Sequence, residues 1–167
     1  LVAAVSNAGG LGVLGVGFAP EPFIREQIAE TRKLTDKPCG MNVIMIPPNL
    51  EHVTKIVLDE KPPVMYADTI AGLDLELCKK YFDIWHSVGC KIVVKASFID
   101  DARIAAEAGA DVMIVKGWEG GGHVTFEATT VLVPQAVDLL DIPVVASGGI
   151  ADGRGVAAGI AMGAEGF

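Results

Sequence analysis

Six times along this chain, a short apolar run is followed by a loop and then by a segment whose apolar residues have helical spacing. Runs this short form strands, and strands that alternate with helices pair in parallel through right-handed crossovers. The predicted strands span residues 11–16, 39–44, 64–66, 91–95, 111–115 and 143–146. The predicted helices that follow them span residues 21–33, 50–60, 75–87, 99–108, 131–140 and 154–162. The alternation predicts an α/β protein.

The spacing of the predicted strands indicates which α/β fold they build. Successive strands start roughly 20 to 30 residues apart, as expected for one βα unit each in a (β/α)8 barrel. The sequences AGAD at 108–111 and MGAE at 162–165 both place glycine where a helix stops before a strand. No linker or shift of composition divides residues 1–167, so we predict a single domain. A TIM barrel is the expected fold, and a Rossmann-like open sheet is the alternative.

Composition limits the partners that such a domain can have. A net charge of -8 and a pI near 4.8 argue against nucleic acid or an anionic membrane surface. The three cysteines, Cys39, Cys78 and Cys90, have neither an even count nor zinc-site spacing, so we expect no disulfide framework and no metal site. A reducing cytoplasm fits these features, and the chemistry of small molecules is the function class that remains.

The uncharged stretch of residues 1–20 is long enough to span a membrane. Its five glycines instead predict a short helix over 1–7 that ends at NAGG, followed by the buried strand 11–16. The stretch also contains GLGVLG at 10–15, which matches the dinucleotide-binding pattern G-x-G-x-x-G. That pattern must follow a strand and open a helix, and here the order is reversed, so we discard it. No basic segment precedes the stretch, and no signal peptide is predicted.

In either fold, chemistry lies in the loops that follow the carboxyl ends of the strands. Two of these loops are rich in glycine: one runs through Gly121 and Gly122 to His123, and the other contains Gly148 and Gly149. Glycines let the backbone approach a ligand closely, and the bare amides of the second loop suit a phosphate. The alternatives are a flexible loop with a solvated histidine and an ordinary tight turn.

Four ordered motifs resemble one known family: AAVSNAGGLGVLG, LTDKPCGMNV, GWEGGGHV with the EATTVLVPQ that follows, and IPVVASGGIADGRGVAAGIAMGAEGF. Together they are similar to the nitronate monooxygenase family of FMN-dependent TIM barrels. Within that family the chain most resembles the type II enoyl-acyl-carrier-protein reductases. The resemblance implies that the barrel is incomplete in this chain. The six predicted strands would be the second to the seventh, and residues 164–167 would enter the eighth.

The resemblance also implies which residues face the flavin ring. His123 matches a histidine that faces the ring, and imidazole exchanges protons near neutral pH with a carbon beside an electron-withdrawing group. Gly121 and Gly122 would let the backbone pass close to the cofactor. Asn42 matches a residue near the flavin whose amide can bind the ring heteroatoms.

Two further sets of cofactor-binding residues follow from the resemblance. Gly148 and Gly149 match the turn that binds the FMN phosphate. Lys116 occupies a position that is usually Glu or Gln, and a cation there would stabilise the reduced, anionic flavin. The alternative for Lys116 is a solvated lysine at the end of a strand.

The sequence leaves three functions open. The first is reduction of 2-enoyl thioesters with NADH or NADPH through FMN, in which acyl carrier protein carries the substrate. The second is oxidation of nitronates or nitroalkanes with oxygen. The third is a truncated barrel that binds neither flavin nor substrate. The expected partners are otherwise a small-molecule or acyl-thioester substrate and a second copy of the chain, in the cytoplasm, with no nucleic acid and no membrane.

Overall fold

Strands and helices alternate along the whole chain in a computed structural model that describes residues 1–70, 72–123 and 125–167. The strands are β1 (Gly12–Leu14), β2 (Cys39–Ile44), β3 (Val64–Asp68), β4 (Lys91–Ala96), β5 (Val112–Lys116) and β6 (Val144–Ser147). The helices are α1 (Val2–Asn7), α2 (Glu21–Leu34), α3 (Pro47–Glu60), α4 (Leu75–Ser87), α5 (Ile99–Glu107), α6 (Thr129–Leu139) and α7 (Gly153–Ala161). The α/β prediction is confirmed.

The six strands form one parallel sheet, and their spatial order follows the order of the chain from β1 to β6. A doubly wound open sheet reverses its strand order at a switch point, so the Rossmann-like alternative is wrong. Beyond β6, the amide of Ala146 donates to Gly166 O at 2.9 Å, and Gly166 forms a parallel bridge with Val145. The chain therefore enters a seventh strand position, as expected for an incomplete TIM barrel.

The predicted boundaries agree with the structure to within a few residues. Strand 39–44 and helix 75–87 match β2 and α4 at both ends. The largest differences are that α3 begins at Pro47 instead of residue 50 and that β1 is confined to Gly12–Leu14. Strand 64–66 extends to Asp68, which places this carboxylate at the carboxyl end of β3.

The core lies between the outer face of the sheet and the helices. Along β2 and β3, alternate residues such as Met41, Val43 and Met65 are buried under the helices. Trp85 on α4 is fully buried there, and its Nε1 donates to Thr54 Oγ1 at 3.0 Å. Each such large apolar side chain contributes about 1.5–3 kcal/mol when it leaves water. Because side chains alternate along a strand, the residues between these core positions face the opposite, inner side of the half-barrel.

The inner face of the sheet carries the polar side chains. Its members near the carboxyl ends include Asn42, Tyr66, Asp68, Lys95, Lys116 and Ser147. The outer face therefore supplies stability, and the inner face supplies functional groups. None of the described helices has the length and apolar character needed to cross a bilayer.

Candidate active site

The two glycine-rich loops start side by side at the carboxyl end of the sheet. Lys116, the last residue of β5, pairs with Ser147, the last residue of β6. One residue later, the amide of Gly117 donates to Ser147 O at 3.2 Å. The loop that contains His123 and the turn at Gly148 and Gly149 consequently leave the sheet at the same end.

The loop of residues 117–123, called the histidine loop below, packs against the turn after β6. The contact is so close that only glycine fits in the turn. Gly148 has a φ of +102°, a conformation that other residues rarely adopt. A Cβ on Gly148 would lie 2.8 Å from Thr129 Oγ1 and 3.0 Å from the amide nitrogen of Gly120. Gly149 approaches the other loop as well, since a Cβ there would lie 3.2 Å from Glu119 Cβ. The structure therefore brings these two predicted phosphate-binding glycines into contact with the loop of His123.

Glu119 ties the histidine loop to the start of α6. Its Oε2 accepts hydrogen bonds from the amide of Thr129 at 3.0 Å and from Thr129 Oγ1 at 2.9 Å. Thr129 Oγ1 also lies 3.0 Å from Gly148 O and 3.2 Å from Ser147 O. Desolvation alone would raise the pKa of Glu119, but hydrogen bonds from its own amide and from Thr129 outweigh it and lower the pKa below its usual value. The sequence did not reveal the role of Glu119, because a carboxylate ten residues before the start of a helix has no recognisable spacing signal.

Lys116 holds the histidine loop from beneath. Only 8% of Lys116 is exposed, and its Nζ donates to Gly121 O at 2.6 Å and to His123 O at 2.5 Å. A Cβ on Gly120 would lie 2.6 Å from Cγ and Cδ of Lys116. The backbone of the loop at Gly120 therefore packs directly against the aliphatic part of the lysine side chain. Burial lowers the pKa of Lys116, as does the positive charge of Lys95. Lys116 is thus not a solvated lysine at a strand end, and the prediction that it binds flavin stays a prediction.

A second buried lysine lies next to Lys116 on the inner face. Lys95 of β4 is 5% exposed, and its Nζ lies 2.6 Å from Oδ1 of Asp68, its register partner on β3. Sequence reasoning assigned no role to either residue. The available signal was the lysine near the end of KIVVKAS, a strand otherwise apolar enough to be buried. Two ammonium groups beside one carboxylate leave this region of the site with an excess positive charge.

Asn42 lies on the inner face of β2, and β3 and β4 separate it from Lys116. Its Nδ2 donates to Tyr66 O at 3.4 Å, a long hydrogen bond that leaves the amide available to a ligand. Tyr66 faces the same side, and burial together with the charge of Asp68 raises its pKa to about 12. The structure places Asn42 on the correct face but does not bring it into contact with the histidine loop.

His123 is exposed, as are Gly121 and Gly122 before it. Within the described residues, the imidazole of His123 makes no hydrogen bond, so its ring nitrogens are free to meet a substrate. On the far side of the histidine, Thr125 Oγ1 donates to Ser97 O at 3.1 Å and anchors the loop to the end of β4. The neighbouring Val124 lies outside the described residues.

A cavity of about 430 Å³ lies elsewhere, beneath α2 and close to the amino ends of β2 and β3. Its lining includes Leu14, Ile28, Arg32 and Cys39. Arg32 is already paired with Glu60 through a 2.5 Å contact. Because parallel α/β sheets bind substrates at the carboxyl ends of their strands, we assign the chemistry to the loop side and not to this cavity.

The residues at the carboxyl ends fit an anionic flavin mononucleotide. The amides of Gly148 and Gly149 donate to no other group in the described part of the chain, and they precede α7, whose amino end favours a phosphate. Lys95 and Lys116, against the single carboxylate of Asp68, give this part of the inner face a net positive charge. The Ser97 hydroxyl is buried without a partner among the described residues, as expected for a group that binds a ligand. Among the same residues, no cluster of three His, Cys, Asp or Glu side chains can hold a metal ion.

A parallel half-barrel in chain order, with a histidine loop and a glycine turn at its carboxyl end, defines a protein of the TIM-barrel class. A family model described as nitronate monooxygenase matches residues 1–72 and 49–167. The chain belongs to this family, whose members use flavin.

Several solved structures superpose on nearly all of the chain. FabK from Thermotoga maritima is 42% identical with a TM-score of 0.88, and the match covers 99% of this chain and 51% of that one. A nitroalkane oxidase from Streptomyces ansochromogenes is 28% identical with a TM-score of 0.86, covering 99% of this chain and 58% of that one.

Two curated sequences give matches of similar extent. A Rhodococcus jostii protein is 39% identical over 99% of this chain and 45% of its own length. It is named (3aS,4S,5R,7aS)-5-hydroxy-7a-methyl-1-oxo-octahydro-1H-indene-4-carboxyl-CoA dehydrogenase. A "Probable nitronate monooxygenase" of Staphylococcus aureus is 32% identical over 99% of this chain and 58% of its own length. The chain spans about half the length of the relatives it matches.

Proposed function

We propose that the protein is an FMN-dependent oxidoreductase that reduces 2-enoyl thioesters with NADH or NADPH. The observation that carries this proposal is the free, exposed imidazole of His123, on a loop whose backbone is held by Lys116 and packed against the Gly148 turn. This geometry suits a group that transfers a proton beside a bound cofactor.

Two of the similar proteins support a thioester as the substrate. FabK, an enoyl-acyl-carrier-protein reductase, is 42% identical, against 28% for the nitroalkane oxidase. The Rhodococcus jostii relative carries the name of a dehydrogenase of a coenzyme A thioester, and it is 39% identical. Acyl carrier protein as the carrier and a dimer as the assembly belong to the same proposal.

The reaction requires one hydride and one proton. Bound FMN would supply the hydride to the β-carbon of the enoyl thioester. His123 would donate the proton to the α-carbon, where negative charge develops as the hydride arrives. Lys95 and the amides of Gly148 and Gly149 would hold the anionic parts of the cofactor, and Asn42 would bind ring heteroatoms. The carbon–carbon double bond is thereby reduced, and the nicotinamide is oxidised.

Nitronate oxidation is the second candidate. The description of the family model and the names of the Staphylococcus aureus and Streptomyces ansochromogenes proteins favour it. In that reaction His123 would remove a proton from the carbon of a neutral nitroalkane. A preformed nitronate has already lost this proton and has no need of the imidazole.

Anaerobic addition of NADH or NADPH to the purified intact protein tests the proposal. Loss of the flavin absorbance on adding a nicotinamide supports the reductase. Bands that persist with a nicotinamide but bleach with a nitronate support the second candidate. A protein without flavin bands is the truncated, inactive barrel, and that result overturns both enzyme functions.

The variant His123→Ala tests the role of the imidazole. Turnover of an enoyl thioester or a neutral nitroalkane should fall ~10²- to 10⁴-fold, while FMN content and oxidation of a preformed nitronate change little. His86→Asn is the matched control, because His86 lies at the end of α4, remote from the loops. Near-normal turnover of every enoyl and carbon-acid substrate in His123→Ala contradicts an acid–base role.

A further inference from the structure

The ammonium group of Lys116 is committed to the loop that carries His123. It donates to Gly121 O at 2.6 Å and to His123 O at 2.5 Å, two carbonyls on either side of Gly122. Charge-assisted hydrogen bonds of this length are stronger than neutral ones. The two bonds therefore fix the backbone immediately before and at the histidine.

The surroundings of Lys116 leave the carbonyl oxygens as its partners. Asp68, the carboxylate that acts on Lys116 electrostatically, is paired at 2.6 Å with Lys95. Within the described residues, no carboxylate lies within salt-bridge distance of Lys116. The aliphatic part of the Lys116 side chain is also confined. It packs so closely against the backbone of Gly120 that a Cβ there would clash with Cγ and Cδ of the lysine.

The imidazole, by contrast, has no support of its own. In the part of the chain that the structure describes, it makes no hydrogen bond, and His123 is exposed. Gly121 and Gly122 precede it, and glycines gain more conformational freedom than other residues when a loop is released. The direction of the imidazole thus depends on its backbone, and that backbone is held by Lys116.

We infer that Lys116 is a positioning residue: its two hydrogen bonds order the loop 117–123 and set the direction in which the His123 imidazole meets the substrate. The kinetic part of this inference, an effect on turnover, rests on the proposed acid–base function of His123. The structural part, the order of loop 117–123, does not depend on that function and can be measured without turnover.

Hydrogen exchange of the intact protein tests the structural part. The amides of Gly117, Trp118 and Gly120 are hydrogen-bonded within the loop system and report its order. In Lys116→Met, which keeps the stem and removes the donors, these amides should exchange about tenfold faster or more. Lys116→Arg restores donors and should regain part of the protection. Lys55→Met, on the exposed side of α3, is the matched control and should exchange as the wild type does.

Kinetics and FMN content test the consequence. Lys116→Met should lower kcat for the enoyl thioester by about tenfold, with KM, FMN content and nitronate oxidation near wild type. Unchanged exchange of the loop amides in Lys116→Met overturns the inference. So does loss of FMN without faster exchange, because Lys116 would then be a flavin ligand.

If His123→Ala is fully active but Lys116→Met releases the loop, the proposed function fails and the ordering role stands. If Lys116→Met does not fold, Lys116→Gln takes its place, because its shorter, uncharged side chain cannot reach both carbonyls. Faster exchange of the loop amides in Lys116→Gln then supports the inference, and exchange at the wild-type rate overturns it.

Discussion

Glu119 receives two hydrogen bonds from Thr129, ten residues further along the chain, at 3.0 Å from the amide and 2.9 Å from the hydroxyl. Ala128, the residue that precedes α6, makes no side-chain cap. Glu119 consequently does from a distance what a capping residue usually does locally. One carboxylate both caps α6 and closes the loop that carries His123.

Removal of this carboxylate should destabilise the protein. We expect Glu119→Ala to lower the free energy of unfolding by about 1 kcal/mol, the usual value of a helix cap. Glu26→Ala on the exposed surface of α2 serves as the control and should have little effect. Urea denaturation followed by circular dichroism measures both variants. Equal midpoints for the two would show that the Glu119 contacts add nothing to stability.

Gly148 should not tolerate a side chain. Gly148→Ala must adopt a φ of +102° and bring its Cβ against Thr129 Oγ1 and the amide of Gly120, which are 2.8 and 3.0 Å away. Strain of this kind costs roughly 1–3 kcal/mol, so the thermal midpoint should fall and the two loops should separate. Gly153→Ala is the control, because a Cβ there meets nothing within 4 Å. A midpoint for Gly148→Ala as high as that of the control contradicts the packing described above.

Asp111 makes the stability of the protein depend on pH. Desolvation alone would raise the pKa of Asp111, but hydrogen bonds from Lys91, the Ile92 amide and His86, at 2.7, 2.7 and 2.9 Å, outweigh it and lower the pKa. A carboxylate with a lowered pKa in the folded state adds stability above its unfolded pKa, and this stability is lost as pH falls through the folded pKa.

Asp111→Asn should therefore be less stable than the wild type by roughly 1–3 kcal/mol near neutral pH. The difference should shrink as the pH falls below the ordinary pKa of an aspartate, about 4. Urea unfolding at a series of pH values measures it. A difference between the two proteins that stays constant down to strongly acidic pH would exclude the ionised carboxylate as its source.

The three cysteines should differ sharply in reactivity. Burial raises the pKa of Cys78 to about 12 and that of Cys90 to about 11, and the thiolate is the reactive form. Cys39 is half-buried. Iodoacetamide near neutral pH should therefore modify Cys39 and spare the other two in the native protein, as peptide mass spectrometry would reveal. In denaturant all three should react, and native labelling of Cys78 or Cys90 would contradict their burial.

The strands were predictable because each is an apolar run bounded by turn residues, and β2 agrees at both ends. The end of the sheet that carries His123 and Gly149 follows from the parallel arrangement. The bonds of Lys116 to Gly121 O and His123 O were not predictable, since they depend on the path of a loop. Neither was the pairing of Lys95 with Asp68, because the register of two neighbouring strands decides which inner residues meet.

The order of the strands along the sheet, which follows the order of the chain, bears on how the protein is made. Each of the six described strands pairs with the next strand along the chain, so none of these pairings must wait for a distant segment to be synthesised. On the ribosome, β2 can dock on β1 as soon as β2 has followed α2 out of the exit tunnel, and each later unit can add to the growing edge in turn. Until the next unit arrives, that edge presents unpaired amides and carbonyls. Slow translation between units would therefore prolong the period in which a nascent chain can aggregate.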